Sequence, residues 1–306
     1  GKTTAVAKTI ASFQRLCMNC WIPVTVCKCK VKKRGITIRL DNEVDTSFEW
    51  HRQNGVDTSE TVFKPYRLNS IEETLDVAHG VLEDERVGLL IIDTIAMGAE
   101  EAELDPKHSV ADSTHAKRPQ ILTRWTRKMN QAMGRELSRD HYFVLILVNQ
   151  ARASMQTTYG GGQILMAPGG KALEHFCPII VRLMPLNPIY DEGEKREEMP
   201  PLATVTHIEI TRNKICLAPV AGRYEIMLRD RQGFPPAGQA NEWDHVLNVG
   251  QQVGYIEKNG QGWKCGEKTL PKKESIQKMW AANSDTYWED SGRILDLALE
   301  QMRRPS

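Results

Sequence analysis

The sequence lacks long hydrophobic segments and has almost no net charge. Its longest apolar runs, residues 89–92 and 143–148, are far shorter than the roughly 18 residues that a membrane span needs. No signal-peptide pattern opens the chain, and 40 basic against 39 acidic residues give a formal net charge of +1. Gross charge therefore provides no general attraction to nucleic acid or anionic lipid. We expect a globular cytoplasmic protein whose charged contacts are local.

Cysteine is too sparse for a disulfide scaffold, and its distribution along the chain is uneven. Of the 7 cysteines in 306 residues, 4 lie between residues 17 and 29. In a reducing compartment, clustered cysteines bind metal more often than they form disulfides. The length of the chain allows one large domain or two.

Helical and strand patterns alternate over the first half of the chain. Apolar residues at spacings of three and four, among them Val6, Ile10, Phe13 and Cys17, predict a helix from Thr4 onward. Strands are predicted at 36–40, 88–92 and 143–148, and helices at 47–54, 71–82 and from about 119 to 139. This order predicts an α/β fold with a mostly parallel central sheet and helices on both faces.

The second half begins with a long glycine-rich loop after Gln150, and loops of that length are usually functional or disordered. A short helix and strands at 179–183, 205–210, 215–217 and 224–228 follow, so we expect the sheet to finish with antiparallel strands. Residues 232–240 have the composition of a linker. We predict a core of residues 1–231 and a small α+β domain of residues 241–306, with helices from Trp243, Lys272 and Ser291.

The first residues, Gly1, Lys2, Thr3 and Thr4, have the pattern of the second half of a phosphate-binding loop. In such a loop, amides at a helix N-terminus bind phosphates while Lys and Thr reach the phosphates and Mg²⁺. Asp93 ends a buried strand, a position from which a carboxylate can order the Mg²⁺ shell, so Thr3 and Asp93 are the predicted magnesium residues. Each motif alone also fits a simple helix start or strand end. Together with the order of the elements, they favour a nucleotide site.

From Gly1 nearly to its end, the chain resembles the RecA family of DNA recombinases. The resemblance is carried by Leu40-Asp41-Asn42-Glu43, Val148-Asn149-Gln150 and Arg212-Asn213-Lys214. It implies a RecA-like P-loop ATPase core with ATP and Mg²⁺ as cofactors. It also implies a homo-oligomeric filament on single-stranded DNA that exchanges strands with double-stranded DNA, without a membrane partner.

The same resemblance assigns roles to individual residues. Glu43 would activate the attacking water, and Gln150 would couple the γ-phosphate to a DNA-binding loop. Arg212 and Lys214 would reach the γ-phosphate of the neighbouring subunit, and Trp50 would lie against the adenine. A water-activating carboxylate must lie beyond the strand ends, and Glu43 follows such a strand.

Two segments would contact DNA by this resemblance, residues 150–171 and the segment that precedes the helix at 129–133. The implied contacts are Arg127, Asn130, Arg135, Arg152, Gly169, Gly170 and Lys171. Glycine lets the backbone approach phosphates closely and Arg supplies charge. A mobile glycine-rich loop and a solvated basic helix face are the alternative interpretations.

The sequence also departs from the family pattern. The first glycine of the phosphate loop, the strand before it and the family's N-terminal helix and strand are absent, so we expect a truncated chain that binds ATP weakly. His175 replaces the usual aromatic residue, and the chain ends without an acidic tail. The missing acidic tail favours a phage-encoded relative, and we expect the protein in the cytoplasm of a bacterial cell or a phage-infected host. A ring-forming helicase with a RecA core and a non-catalytic DNA-binding fragment remain alternatives.

Cys17, Cys20, Cys27 and Cys29 belong to residues 17–34, called here the cysteine insertion, which the family pattern does not require. Their Cys-x-x-Cys and Cys-x-Cys pairs predict a knuckle, and four thiolates suit tetrahedral Zn²⁺. Reduced cysteines at a helix end and in a hairpin are the alternative. Because the insertion joins a helix end to a strand start, we expect it opposite the nucleotide crevice, where a metal would brace the fold.

Overall fold

A four-stranded parallel sheet forms the centre of the protein. The computed structural model describes residues 2–25, 27–43, 47–96, 98–104, 107, 117–150, 152–157, 163–166, 170–191, 193, 199–215, 221–231 and 234–303. In spatial order the strands are β2 (Phe63–Arg67), β1 (Ile36–Asp41), β3 (Val87–Asp93) and β4 (Val144–Leu147). All three pairings are parallel, which confirms the predicted fold class. The sequence does not predict β2, because Pro65 interrupts it and most of its residues are exposed.

Helices bury both faces of this sheet. The helices of this part of the chain are α1 (Lys2–Phe13), α2 (Phe48–Gln53), α3 (Ile71–Gly80), α4 (Glu101–Leu104) and α5 (Lys117–Leu137). Successive residues of a strand point to opposite faces. Leu89 and Ile91 pack with α1, whereas Leu90 and Ile92 pack with α3 and α5. Asp93 continues this alternation, so its carboxylate lies on the same face as α1.

The residues after β4 form antiparallel strands. β5 (Arg152–Thr157) pairs with β6 (Gln163–Met166), so part of the predicted loop is a hairpin. After α6 (Gly170–Phe176) come the four strands of a second sheet, which lie in the order β10-β9-β8-β7. These are β7 (Ile179–Pro185), β8 (Ala203–Asn213), β9 (Ala221–Met227) and β10 (Ala240–Asn241).

The expectation that the antiparallel strands continue the central parallel sheet is therefore wrong. Among the described residues, β4 is bonded to β3 alone and β7 to β8 alone. The hairpin and α6 separate β4 from β7 along the chain, and β7 pairs on one edge with β8, the strand that follows it. The strand expected at 215–217 is not observed, since Ile215 lies in a bend and residues 216–217 are outside the described ranges.

Residues 243–303, called here the C-terminal unit, bury a hydrophobic cluster of their own, with Trp280 and Tyr287 near its centre. The elements are α7 (Trp243–Gln252), β11 (Ile256–Asn259), β12 (Gly262–Cys265), β13 (Lys268–Leu270), α8 (Glu274–Ala282) and α9 (Ser284–Arg303). The last two helices thus begin at different residues from those predicted. Within the described ranges, no helix has the length and apolar character that a membrane span requires.

The predicted division into a core, a linker and a small domain remains a prediction. Ala240, expected in the linker, pairs with Ile226 of β9 and so belongs to the second sheet. The hydrophobic cluster of the C-terminal unit begins three residues later, at Trp243.

Candidate nucleotide site

The carboxyl ends of β1, β3 and β4 and the start of α1 meet at one edge of the parallel sheet. Parallel strands place their carboxyl ends together, and ligands of such sheets bind in the crevice outside them. Lys2 opens α1, and its Nζ donates a hydrogen bond to the carbonyl oxygen of Asn149, 3.4 Å away. The structure therefore brings the predicted phosphate lysine next to the segment that ends in Gln150. Thr3 and Thr4 occupy the first turn of the same helix, and Gly1 is outside the described residues.

Glu43 and Gln150 are in direct contact at this edge. The Nε2 amide of Gln150 donates a short hydrogen bond to Oε1 of Glu43. Thr94 Oγ1 donates to the same oxygen at 3.0 Å, and the Glu43 N–H donates to Oδ1 of Asp41 at 2.9 Å. Two bonds to Oε1 thus orient the Glu43 carboxylate, and the third holds its main chain. The sequence did not suggest Thr94, although its position directly after the predicted magnesium residue is a usable signal.

Asp93 is held by a buried cation that the sequence analysis missed. Nη2 of Arg39 donates to Oδ2 of Asp93 at 2.8 Å and lies 3.4 Å from Oδ2 of Asp41. The Arg39 side chain is only 2% exposed. Burial raises the pKa of Asp93, and the neighbouring guanidinium opposes that shift. The signal for this group was present in β1, where polar residues occupy every second position of an otherwise apolar strand.

His51 completes this buried group in a defined protonation state. Its Nδ1 lies 3.0 Å from the carbonyl oxygen of Ser47, and its Nε2 lies 3.0 Å from Nη1 of Arg39. A carbonyl only accepts and a guanidinium only donates. Nδ1 therefore carries the hydrogen and Nε2 is unprotonated, which makes His51 neutral. Burial lowers the pKa of His51 in agreement with this assignment.

We expect His51 to make the folded protein less stable in mild acid. The unfolded chain binds a proton below the ordinary imidazole pKa of 6.5, whereas the folded state excludes it, so stability falls as pH falls below that value. Urea unfolding at about pH 7.5 and about pH 5.5, on either side of it, measures the loss. In His51→Gln the loss should be smaller than in the unaltered protein. His175→Gln, which changes an exposed histidine, is the control, and equal losses in both variants would contradict the assignment.

Trp50 lies in α2, one residue before His51, and is half-buried. The segment before β10 covers its ring: a Cβ at Gly238 would lie 3.5 Å from Cζ3 of Trp50. The indole N–H is buried and has no acceptor among the described residues. A buried donor without a partner and a lysine at a helix N-terminus both fit a nucleotide with polar base and phosphate groups. The contact of Trp50 with adenine remains a prediction.

Arg212 and Lys214 lie at the end of β8, apart from this group. Arg212 Nη1 donates to the carbonyl of Glu174 in α6, and the Lys214 N–H donates to the carbonyl of Pro178 at 3.0 Å. Within the described ranges, neither side chain is bonded to Lys2, Glu43 or Gln150. The contact of Arg212 and Lys214 with the γ-phosphate of a neighbouring subunit therefore remains a prediction.

The predicted DNA contacts lie on different elements. Arg127, Asn130 and Arg135 are exposed residues of α5, so they belong to a long helix and not to a loop that precedes one. Lys171 is exposed in α6, which Gly170 opens. α6 packs on α5, where the ring centres of Phe176 and Trp125 are 5.8 Å apart. Arg152 is in β5, its side chain undescribed, and Gly169 is outside the described ranges.

Known proteins are similar to this sequence over nearly its whole length. The family model described as RecA N-terminal domain matches residues 1–230. Protein RecA of Rhizobium leguminosarum bv. viciae is 21% identical over 301 residues, which cover 98% of this chain and 73% of that protein. Protein RecA of Agrobacterium fabrum is 22% identical over 302 residues, covering 98% and 70%. For protein RecA of Streptococcus thermophilus the identity is 21% over 295 residues, covering 96% and 68%. Because the family model spans 230 of the 306 residues, the chain belongs to the RecA family.

Proposed function

We propose that the protein is an ATP-dependent recombinase that forms filaments on single-stranded DNA and promotes strand exchange with a duplex. The observation that carries the proposal is the contact between Gln150 and Glu43 beside the start of α1. Two residues after Gln150 the chain enters the β5–β6 hairpin, and α6 with Lys171 follows it. The candidate nucleotide site and the proposed DNA segment are therefore joined by a few residues of main chain.

The described contacts support a division of labour at the site. Lys2 and the N–H groups of the first turn of α1 would hold the phosphates of ATP, and Thr3 would serve its Mg²⁺. When bound, Mg-ATP supplies the phosphoryl group that water attacks and most of the electric charge in the site. Glu43, oriented by Thr94, would accept the proton of the attacking water. If the amide of Gln150 turned toward a phosphate, it would release Glu43. The carboxylate would then be free, and the segment that leads to the proposed DNA-binding elements would move with Gln150.

Arg39 sets a limit on the magnesium role of Asp93. A carboxylate oxygen that already accepts from a guanidinium at 2.8 Å attracts a second cation less strongly, because the two cations repel each other. Asp93 would therefore act on Mg²⁺ more weakly than an unpaired aspartate. Steady-state ATPase at increasing Mg²⁺ concentration measures this requirement.

The function is tested by ATPase activity with and without single-stranded DNA, together with electron microscopy of the complexes. The chain starting at Gly1 and a version extended by the first half of a phosphate-binding loop should both be measured. A DNA-stimulated ATPase and helical filaments in the extended version support the proposal. Closed rings would favour the helicase, and DNA binding without hydrolysis would favour a non-catalytic role.

We also place the protein in a bacterial or phage-infected cytoplasm, where ATP and DNA are both available.

Lys171 should contribute one phosphate contact to DNA binding. Neutralising a phosphate of single-stranded DNA releases about 0.7 counterion, so Lys171→Gln should reduce the slope of log affinity against log salt by about 0.7. Fluorescence anisotropy with a labelled oligonucleotide at several salt concentrations gives this slope. The control is Lys278→Gln in α8, also an exposed lysine, for which the slope should not change. A slope that Lys171→Gln leaves unaltered would remove Lys171 from the interface.

A further inference from the structure

The cysteine insertion folds back on itself directly after α1. The Cys17 N–H donates to the carbonyl of Ile22 at 2.8 Å, and the Cys27 N–H donates to the carbonyl of Pro23 at 2.9 Å. Leu16 and Pro23 form an isolated antiparallel bridge. These main-chain contacts close the turn between the two cysteine pairs. The approach of the thiols is therefore a property of the backbone fold.

Four thiols meet at this turn. The Sγ atoms of Cys17, Cys20, Cys27 and Cys29 all lie within 4.8 Å of one another, and all four cysteines are free. Tetrahedral zinc with Zn–S distances of about 2.3 Å needs sulfurs about 3.8 Å apart. Cys17 and Cys27 are buried, while Cys20 and Cys29 are half-buried. The upper limit of 4.8 Å between the four sulfurs is about 1 Å above that spacing.

The charge around the thiols suits an ion bound by four thiolates. Such a set selects a soft, tetrahedral ion, of which zinc is the common choice in structural sites. Zn²⁺ with four thiolates carries a net charge of about −2. The insertion supplies five cations close to it in sequence, Lys28, Lys30, Lys32, Lys33 and Arg34.

On one side, this region packs against the first residues of β1 and β3. The Met18 N–H donates to the carbonyl of Lys33 at 2.8 Å, which ties the turn to the chain entering β1. The ring of Phe13 fills the space beside Gly88, where an added Cβ would lie 2.5 Å from its Cζ atom. Met18 and Phe13 occupy the space beside Gly35 in the same way.

On the other side, the same region touches α9 of the C-terminal unit. Pro23 lies against Gly292, where an added Cβ would be 3.0 Å from the Pro23 ring. The guanidinium of Arg15 is 3.8 Å from the centre of the Trp288 ring, a cation–π contact. The Val24 N–H donates to the carbonyl of Arg15 at 2.8 Å, so the turn and the cation–π contact share one backbone.

We propose that Cys17, Cys20, Cys27 and Cys29 bind one zinc ion, and that this ion fastens the C-terminal unit to the parallel-sheet core. Removing the metal would leave the main-chain hydrogen bonds alone to hold the turn that places Pro23 and Arg15 against α9, so this contact would open more often. The ion has no direct role at the nucleotide site, because the 12-residue α1 separates the two by about 18 Å. The inference uses neither ATP nor DNA, so it stands or falls independently of the recombinase function.

The metal itself is tested on the unaltered protein, purified without chelator. Elemental analysis should find one zinc per chain, released when the thiols are modified. Cys20→Ser and Cys29→Ser, which change the half-buried ligands, should lose the zinc. Cys177→Ser, another half-buried cysteine outside the cluster, should keep it. A protein without zinc, a protein with iron instead, or four reactive thiols with no metal released would each overturn the site.

Limited proteolysis tests the fastening role. When zinc is removed with a chelator, cleavage between β9 and α7 should become about tenfold faster, since cleavage follows the population of opened molecules. Gly292→Leu should produce the same increase while one zinc stays bound, because it pushes α9 away from Pro23. Addition of zinc alone should restore resistance in the chelated protein and leave Gly292→Leu sensitive. Equal cleavage rates with and without zinc would refute the fastening role.

Discussion

Arg39→Met should lower the free energy of unfolding by about 3 to 5 kcal/mol, the usual cost of removing one partner from a buried ion pair. The substitution leaves the carboxylates of Asp93 and Asp41 buried without the cation that lies 2.8 Å and 3.4 Å from them. Urea unfolding at neutral pH measures the loss. Arg52→Met, which removes a surface arginine paired with the exposed Glu49, should cost less than about 1 kcal/mol.

Two further measurements separate the charge effect from simple loss of packing. In Arg39→Met/Asp93→Asn much of the stability should return, because one of the uncompensated charges is gone. The stability deficit of Arg39→Met should also shrink in acid. Burial raises the pKa of both Asp93 and Asp41, and Arg39 opposes this shift. Removing Arg39 should therefore raise both pKa values further, and an acid with a raised pKa in the folded state favours folding more as pH falls toward its unfolded value. A deficit independent of both pH and Asp93→Asn would show that Arg39 acts by packing alone.

Glu43→Gln should reduce DNA-stimulated ATP hydrolysis by about a hundredfold to ten-thousandfold, the contribution usual for a general base. ATP binding should persist, because a glutamine can still accept the bond from Thr94 that orients Glu43 at 3.0 Å. Turnover with single-stranded DNA and equilibrium binding of ATP are the two measurements. Glu49→Gln, at an exposed acid of α2, should leave both unchanged. Full turnover in Glu43→Gln would exclude Glu43 as the base.

Mixing variants tests whether Lys214 acts across the subunit boundary. If one subunit supplies Glu43 and its neighbour supplies Lys214, Glu43→Gln and Lys214→Ala chains should each be inactive alone. An equal mixture should recover roughly one quarter of the activity, since random assembly pairs an intact Glu43 with an intact Lys214 at that fraction of interfaces. No recovery, while both variants still bind ATP and DNA, would place Lys214 at its own subunit's site or outside catalysis.

The sequence predicted the strands whose residues are buried on both faces, because these strands are continuous apolar runs. β3 is buried on both faces, so its unbroken apolar run marks it whatever the rest of the chain does. The sequence did not predict β2, because this strand lies at the edge of the parallel sheet. Pro65 and its two exposed neighbours break the apolar pattern expected of a buried strand. The β5–β6 hairpin escaped because its segment is rich in glycine, which favours loops by composition alone.

The candidate site was predictable where position along a strand determines it. Asp93 ends a strand and Glu43 and Gln150 follow strand ends, so a parallel sheet brings their segments to one edge. The partners of Asp93 were not predictable in the same way. Arg39 in β1 and His51 in α2 are 12 residues apart in the sequence. They meet only because the chain folds back so that α2 packs beside β1. The cysteine pairs are the opposite case, since a short turn is enough to bring them together.

The separation of the two sheets affects how the protein will behave at high concentration. β4 and β7 each present an outer edge that pairs with no other strand of the described chain, and Val144, Ile179 and Val181 are 41%, 44% and 51% exposed there. Open edges with apolar side chains add strands from other molecules and so promote aggregation. Arg182 follows Val181 in β7, points to the opposite face and pairs with Glu209. A charge on an edge strand discourages such addition. Replacing Arg182 by a hydrophobic residue should therefore reduce the yield of soluble protein and leave the urea midpoint of unfolding nearly unchanged.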